Sequence, residues 1–473
     1  MAVIQVSSKS LEAIDGQLQL EHIHRKQKKL FDSDITKSVA FRIKQLQKLK
    51  YILKENKTKI YSAIYSDFGK SSFDTYVSEM SFIFHEINLA LKKLKKWSKP
   101  KRVRTGFANF PAKSYIIPEP LGTTLVIGAW NYPLQLSIIP VISSLAAGNT
   151  VILKPSEIPL NTSNVIAELV NSNFEEAYFK VLEGDASFTT ELLKLKFDKI
   201  FFTGSTNVGR IVYQAAAKNM VPVSLELGGK SPVFVMSDCN LKIAVKRIVW
   251  AKFLNSGQTC VAPDYILVED SIKESFLKAL KLEIEMYYSL DAELTENYVQ
   301  IINEKNFDRL VDLIELDKIY CGGNTNRDIR VIAPTVLNDV SFTDNVMAEE
   351  IFGPILPIIS FTNLMETIKL VKARPKPLSC YIYSQNRKTI KQILRSLSFG
   401  GGAVNDSVMH LSNSKLPFGG VGLSGMGSYH GHFGFSNFSH HKSILDKPTW
   451  MELNLKYSPY NKWKLGLIKW MVE

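Results

Sequence analysis

The hydrophobic pattern changes character along the chain. Between residues 37 and 60, Val39, Phe41, Ile43, Leu46, Leu49 and Ile52 recur among lysines, an amphipathic helical pattern. A second helix is predicted from Glu79 to Trp97, and the stretch from Lys99-Pro-Lys to Pro111 reads as an exposed connection. From about residue 116, short β-rich runs alternate with helical ones. Leu121-Gly-Thr-Thr-Leu-Val-Ile is a predicted strand, Leu134 to Ala147 is apolar enough for a buried helix, and Thr150-Val-Ile-Leu is the next strand. Runs at 178–182 and at Lys199-Ile-Phe-Phe follow, then a helix over about 207–218 and Val221-Pro-Val-Ser-Leu. A second series opens at Pro232-Val-Phe-Val and runs to roughly Asn405. Strands that alternate with helices indicate βαβ units and parallel sheets. Open sheets of this kind bind ligands beyond the carboxyl ends of their strands. The pattern therefore predicts two α/β domains with a site between them.

Composition narrows the class. The chain has 473 residues, 45% apolar and 22% charged, as expected for two or three ordinary globular domains. The opening stretch, residues 1–19, carries Lys9, Glu12 and Asp15 and has no apolar signal core. No apolar run approaches the ~20 residues that span a bilayer. The most hydrophobic tail piece, Lys464-Leu-Gly-Leu-Ile-Lys-Trp-Met-Val, is interrupted by Lys469. Four cysteines, with no CxxC pair, make no disulfide framework. These features point to the cytosol.

Net charge is +13. The densest basic run comprises Lys92, Lys93, Lys95, Lys96, Lys99, Lys101, Arg102 and Arg104. It could draw the protein to an anionic membrane surface or an acidic substrate. A solvated helix end and loop is the commoner meaning of such a run. No recognition motif accompanies it, so nucleic acid is not an expected partner.

Two glycine patterns are discounted. Gly420-Val-Gly422-Leu-Ser-Gly425 matches GxGxxG, but no strong strand precedes it and no clear helix follows, so a tight turn is expected. Gly228-Gly-Lys-Ser231 resembles the end of a P-loop, yet Ser224 stands where that loop needs glycine, and Pro232 blocks a direct helix start. The histidine pairs His430/His432 and His440/His441 have no carboxylate or cysteine set to complete a metal site, so no metal is expected.

The chemistry lies elsewhere. Phe253-Leu-Asn-Ser-Gly-Gln-Thr-Cys260-Val-Ala-Pro-Asp-Tyr265 can present a thiol on a bend at a helix end. Alone, such a cysteine is more often a small hydrophobe. It has candidate partners. Leu225-Glu226-Leu-Gly-Gly-Lys230 places a carboxyl group at a strand end beside glycines that permit close approach. Gly128-Ala-Trp-Asn131-Tyr-Pro133 places an amide just after a strand, where it could donate to a developing oxyanion. Phe202-Thr-Gly204-Ser-Thr-Asn-Val-Gly209-Arg is a glycine turn between strand and helix, the setting in which backbone amides hold phosphate.

These segments resemble the aldehyde dehydrogenase superfamily, most of all its class 3 branch of fatty and aromatic aldehyde dehydrogenases. The Leu-Glu-Leu-Gly-Gly-Lys signature at 225–230 is whole, and the cysteine box Gly257-Gln-Thr-Cys260 is followed by Val-Ala-Pro-Asp-Tyr. Ala112-Lys-Ser-Tyr-Ile-Ile-Pro-Glu-Pro-Leu-Gly122, Leu153-Lys-Pro-Ser-Glu157, Glu349-Glu-Ile-Phe-Gly-Pro354 and Leu416-Pro-Phe-Gly-Gly-Val-Gly422 also match, in family order from about residue 30 to about 460.

The resemblance implies a fold: a Rossmann-like cofactor domain over 1–97 and 118–226, an α/β catalytic domain over 227–425, a bridging β-flap for dimerisation over 98–117 and 426–450, and a tail over 451–473. It implies roles as well. Cys260 would be the nucleophile. Asn131, with the Cys260 N–H, would form the oxyanion hole, and Glu226 would be the general base for thioester hydrolysis. Lys154 and Glu157 would face the adenine ribose. Trp130 and the Gly204–Gly209 turn, with Ser205 as donor, would approach the pyrophosphate. Glu350 and Phe352 would position the nicotinamide ribose and ring. Asn207 departs from the glutamate or alanine of many relatives, with little expected consequence. Glu157 leaves NAD and NADP both open.

The implied activity is oxidation of aldehydes to carboxylic acids. Medium or long aliphatic aldehydes come first, with aromatic or terpenoid ones behind. A homodimer is typical of the branch. The tail, with Trp463, Leu465, Leu467, Ile468, Trp470 and Met471 among lysines, suits a helix on a membrane, over the substrate entrance or against a partner subunit. Each residue also has a plainer reading: Glu226 as a buried ion-pair partner, Asn131 as a strand-end cap, Trp130 and Phe352 as core aromatics. Two alternatives for the whole remain. One is a dehydrogenase that passes the acyl group to coenzyme A; such enzymes generally lack the glutamate that Glu226 matches. The other is a catalytically inactive binding protein with this fold, against which the retained Cys260, Asn131 and Glu226 argue.

Overall fold

The computed structural model describes residues 8–293, 295 and 297–472. Two sheets dominate it. The first has six strands in the order Gly425–Met426, Val223–Glu226, Lys199–Thr203, Thr123–Ile127, Thr150–Lys154 and Phe179–Val181. The last five are parallel; Gly425–Met426 runs antiparallel to Val223–Glu226 at the edge. The second has seven strands in the order Ile319–Cys321, Thr335–Leu337, Ile355–Phe361, Tyr265–Glu269, Pro232–Val235, Ser379–Tyr383 and Gly401–Val404. Only its Ile319–Cys321 edge strand pairs antiparallel. Strands buried on both faces need continuous apolar runs, and Thr123–Ile127 and Pro232–Val235 are buried at every position.

The helix Pro133–Ala147 is buried along its whole length, as its composition demanded. It begins with proline at its first position, where no N–H is needed. The predicted helix over 37–60 is two: Val39–Glu55 and Lys57–Phe68, broken at Asn56. The helix expected from Glu79 opens instead with a π-helical turn, Tyr76–Met80, which continues into Ser81–Trp97.

The connection expected over 99–111 is partly ordered. Lys101–Val103 pairs antiparallel with Lys113–Pro120, and that strand pairs along its full length with Ser439–Asp446. All three residues of Lys101–Val103 are exposed, so burial gave no periodic signal to read. The result is a small antiparallel flap. The stretch 426–450 is divided. Its start edges the six-stranded sheet, the helix Gly431–Asn437 packs on Pro133–Ala147, and only Ser439–Asp446 belongs to the flap. Among the described residues, no helix is long and apolar enough to cross a membrane.

Candidate active site

Four segments meet in one cleft of about 780 Å³ at the carboxyl ends of the sheet strands. The first follows Thr123–Ile127. Asn131 is buried there, and its Nδ2 donates to the Gln258 carbonyl at 3.0 Å. Asn255 Nδ2 donates to the Asn131 carbonyl at 2.9 Å and to the Gln258 carbonyl at 3.1 Å. The second follows the helix Leu241–Phe253. Asn255, Ser256 and Gly257 stand in succession at φ of 54°, 51° and 74°. Left-handed backbone costs non-glycine residues energy, and it concentrates where a side chain must be aimed. A Cβ on Gly257 would lie 2.2 Å from the Gly353 carbonyl, so only glycine fits this turn. Gln258 locks the bend. Its Nε2 donates to the Asn255 and Gln300 carbonyls at 3.1 and 3.2 Å, and its Oε1 accepts from Ile302 N–H at 3.0 Å. Cys260 emerges from it half-buried, facing the cleft.

The third segment is the end of Val223–Glu226. Glu226 is 3% exposed, and neither carboxyl oxygen has a hydrogen-bond partner among the described residues. Burial raises its pKa well above the usual carboxylic range. The fourth is the loop 348–353. Lys230 Nζ donates to the Val346 and Glu349 carbonyls at 2.9 and 2.8 Å and pairs with Asp264. Asp264 accepts from Ile351 N–H at 2.9 Å. This clamp holds Glu350 against Gly228, where an added Cβ would fall 1.8 Å from a Glu350 oxygen. Burial and the nearby Asp264 push Glu350 up to about 8. Burial, then Glu350 and Glu226, push the Cys260 thiol up to about 12.

The other half of the cleft suits a dinucleotide. Gly204 follows Lys199–Thr203, and Ser205 caps the helix Thr206–Ala217. Backbone N–H groups at such a helix start face the cleft and favour phosphate. Val208 and Ile211, 45% and 58% exposed, give the same cleft an apolar wall with room beside it. Lys154 ends its strand and pairs with Glu157. Trp130 and Phe352 approach edge to face across the cleft, centroids 5.2 Å apart.

Cys260, Glu226, Asn131, Trp130, Lys154, Glu157, Gly204, Ser205, Glu350 and Phe352 all line this one cleft. Gly209 does not. It is buried in its helix, where a Cβ would lie 2.6 Å from Leu227, so it lets helix and sheet pack closely. Several contributors escaped the sequence reading. Asn255 ties the Asn131 and Cys260 loops together, and the Tyr132 hydroxyl meets Thr259 Oγ1 at 2.6 Å. Glu79, 55 residues away, accepts from the N–H groups that follow Pro133. No local pattern announces a contact of that range. The Asn255–Gln258 spacing inside the cysteine box was the one available hint.

Comparison with known proteins places the chain in a family. The sequence profile of the aldehyde dehydrogenase family matches residues 15–444. The chain is 46% identical over 444 residues to a 4,4'-diaponeurosporen-aldehyde dehydrogenase of Staphylococcus aureus, covering 93% of this chain and 96% of that one. It is 44% identical over 423 residues to a rat (Rattus norvegicus) aldehyde dehydrogenase described as dimeric and NADP-preferring, covering 89% and 93%. A solved substrate-bound structure of Staphylococcus aureus AldH superposes with a TM-score of 0.93 at 45% identity, over 96% of this chain and 99% of that one. The chain belongs to the aldehyde dehydrogenase family and is an NAD(P)-dependent oxidoreductase that converts aldehydes to carboxylic acids.

Proposed function

We propose that Cys260 is the nucleophile, Asn131 the oxyanion donor and Glu226 the general base of this reaction. The Cys260 thiolate adds to the aldehyde carbon and forms a thiohemiacetal. Asn131 Nδ2 has two hydrogens. One is given to the Gln258 carbonyl, which leaves the other for the oxyanion, beside the Cys260 N–H. NAD or NADP held in the cleft would supply a positively charged ring as hydride acceptor. Collapse of the thiohemiacetal leaves a thioester on Cys260. Glu226 then takes a proton from water, the oxygen of that water attacks the thioester carbon, and the acid leaves as Cys260 is restored.

The observation that carries this reading is Glu226. A buried carboxyl group without ion pair or hydrogen bond is costly and needs a use. The lack of a partner among the described residues also argues against the plainer reading of Glu226 as an ion-pair partner, and it favours hydrolysis over transfer to coenzyme A. Trp130, Lys154, Glu157, Gly204, Ser205, Glu350 and Phe352 would hold the cofactor, with Gly209 setting the helix behind the phosphates. Phe418 and Tyr429, which share a hydrophobic cluster with Cys260, give the cleft an apolar wall, which suits a medium or long apolar aldehyde. The relative named for 4,4'-diaponeurosporen-aldehyde supports the long or terpenoid end of that range.

The test follows reduction of NAD and NADP with hexanal, hexadecanal and benzaldehyde, with and without coenzyme A, in wild type and Cys260→Ala. Reduction that yields free acid without coenzyme A, and vanishes in the variant, is expected. Dependence on coenzyme A would remove Glu226 from its role.

Two further readings concern partners. A homodimer is favoured by the exposed edge strands Lys101–Val103 and Ser439–Asp446, open for pairing with a second copy, and by the relative described as dimeric. Light scattering reads it directly. Peripheral contact with an anionic membrane is favoured by the helix Lys462–Val472, where Trp463 and Trp470 are 70% and 79% exposed beside Lys462 and Lys469. Truncation after Asp446 should abolish sedimentation with anionic vesicles; unchanged sedimentation refutes it. The four free thiols accord with a reducing, cytoplasmic compartment.

A further inference from the structure

The helix Pro133–Ala147 starts two residues after Asn131, and its first N–H groups are not capped locally. Tyr132, at the N-cap position, makes no side-chain cap. Ser, Thr, Asp or Asn usually fill that role. Here the donors are met from a distance. Glu79 Oε2 accepts from Leu134 N–H at 2.9 Å and from Gln135 N–H at 3.1 Å. Glu79 sits on the π-helical turn Tyr76–Met80, an unusual geometry that recurs at functional sites. Its other oxygen pairs with Lys70 at 3.2 Å, and both side chains are 0% exposed. The Lys70 ammonium also lies 4.5 Å from the Tyr132 ring centroid. The Tyr132 hydroxyl, in turn, meets Thr259 Oγ1 at 2.6 Å, one residue before Cys260.

This is a continuous chain of contacts from a buried ion pair to both sides of the reaction centre. A buried pair is a poor source of stability, since desolvation offsets its attraction, so its retention calls for another reason. We propose that Glu79, held by Lys70, is a positioning residue that fixes the start of the helix, and through it the Asn131 amide relative to Cys260. The inference rests on the role given above to Asn131. Glu79 touches no reacting atom; it sets the angle at which the oxyanion donor is presented.

The test is a cycle of variants on the full-length protein, with kcat, cofactor Kd and thermal unfolding measured for each. Lys70→Met/Glu79→Leu removes the pair without leaving one charge unpaired. It should lower kcat about 10- to 100-fold, the usual cost of misplacing a reacting group by about 1 Å, with cofactor Kd unchanged. In an Asn131→Ala background the same double substitution should lower kcat no further, because the effect passes through Asn131. Lys70→Met/Glu79→Gln keeps an acceptor for the two N–H groups and should recover most of kcat. Tyr132→Phe should lower kcat several-fold with the same dependence on Asn131, and decides the matter if the double variant does not fold. Equal losses in both backgrounds, or full kcat in Lys70→Met/Glu79→Leu or Tyr132→Phe, overturn the proposal. If Asn131→Ala itself keeps full kcat, the reading of Asn131 fails first and takes this one with it.

Discussion

Replacing Asn131 by alanine separates catalysis from stability, because the structure gives the two effects different sizes. Asn131 Nδ2 makes one protein hydrogen bond, to the Gln258 carbonyl, and that carbonyl keeps a second donor, Asn255 Nδ2, at 3.1 Å. No buried acceptor is orphaned by the change. The stability cost is therefore about one net hydrogen bond, roughly 1 kcal/mol. The hydrogen that faces the cleft acts only as the carbonyl oxygen gains charge. Loss of one such donor costs about 3–4 kcal/mol of transition-state stabilisation, a fall of about 10²–10³ in kcat. Catalysis should thus lose three to four times what the fold loses. Stopped-flow absorbance of the reduced cofactor with hexanal measures the first, and thermal or urea unfolding the second. Cofactor Kd should stay where it was, since Asn131 lies at the reaction end of the cleft. A fall of less than threefold in kcat, or one matched by an equal loss of cofactor affinity, would refute the assignment.

Glu226→Gln should acylate once and stop, giving a burst of one reduced cofactor per site and little turnover; steady turnover near wild type removes Glu226 as the base. Wild-type deacylation should rise with pH through a value well above the usual carboxylic range, because burial raises Glu226; a plateau already reached at pH 5 contradicts this. A carboxyl with a raised folded pKa loses stabilisation as pH rises through that value, so Glu226→Gln should gain in Tm over wild type at pH 8 and not at pH 4. With the thiol pushed up to about 12, alkylation of Cys260 by iodoacetamide in the cofactor-free protein should keep rising between pH 8 and 10; a plateau below pH 7 counts against it. Gly257→Ala forces a Cβ to 2.2 Å from the Gly353 carbonyl at φ 74° and should cost at least about 1–2 kcal/mol in stability along with most activity; unchanged unfolding and kcat would show the turn to be unstrained.

The architecture was legible because its signals are local. Continuous apolar runs such as Pro232–Val235, and the mostly apolar stretch after Pro133, are best satisfied by a core strand and a buried helix. Glycines were harder to read. Gly204 and Gly209 belong to one motif, yet only Gly204 lines the cleft, while Gly209 is buried inside the helix against Leu227. Spacing cannot tell a glycine that admits a ligand from one that admits a neighbouring strand. Lys101–Val103 lay inside the flap that the family resemblance implied, but the hydrophobic pattern gave no sign of it. A three-residue edge strand with every residue exposed buries too little to leave a pattern of burial in the sequence.

What the sequence could not supply was the electrostatic state of the site. Glu226, Glu350 and Cys260 come from three separate motifs, and each alone suggests an ionised, reactive group. Brought into one cleft, they oppose one another. Each carboxylate makes ionisation of the thiol harder, and burial acts the same way on all three. The cofactor-free site thus favours the neutral thiol, which reacts poorly with aldehydes and oxidants alike. A cationic ring held in the cleft by the loop of Glu350 and Phe352 would reverse the balance by offering the thiolate a counter-charge. Cofactor-first binding then follows from charge alone, and saturating NAD should speed Cys260 alkylation at pH 7 severalfold. A rate unchanged by NAD would mean that the three groups are held too far from the ring for that compensation, and the order of binding would need a steric cause instead.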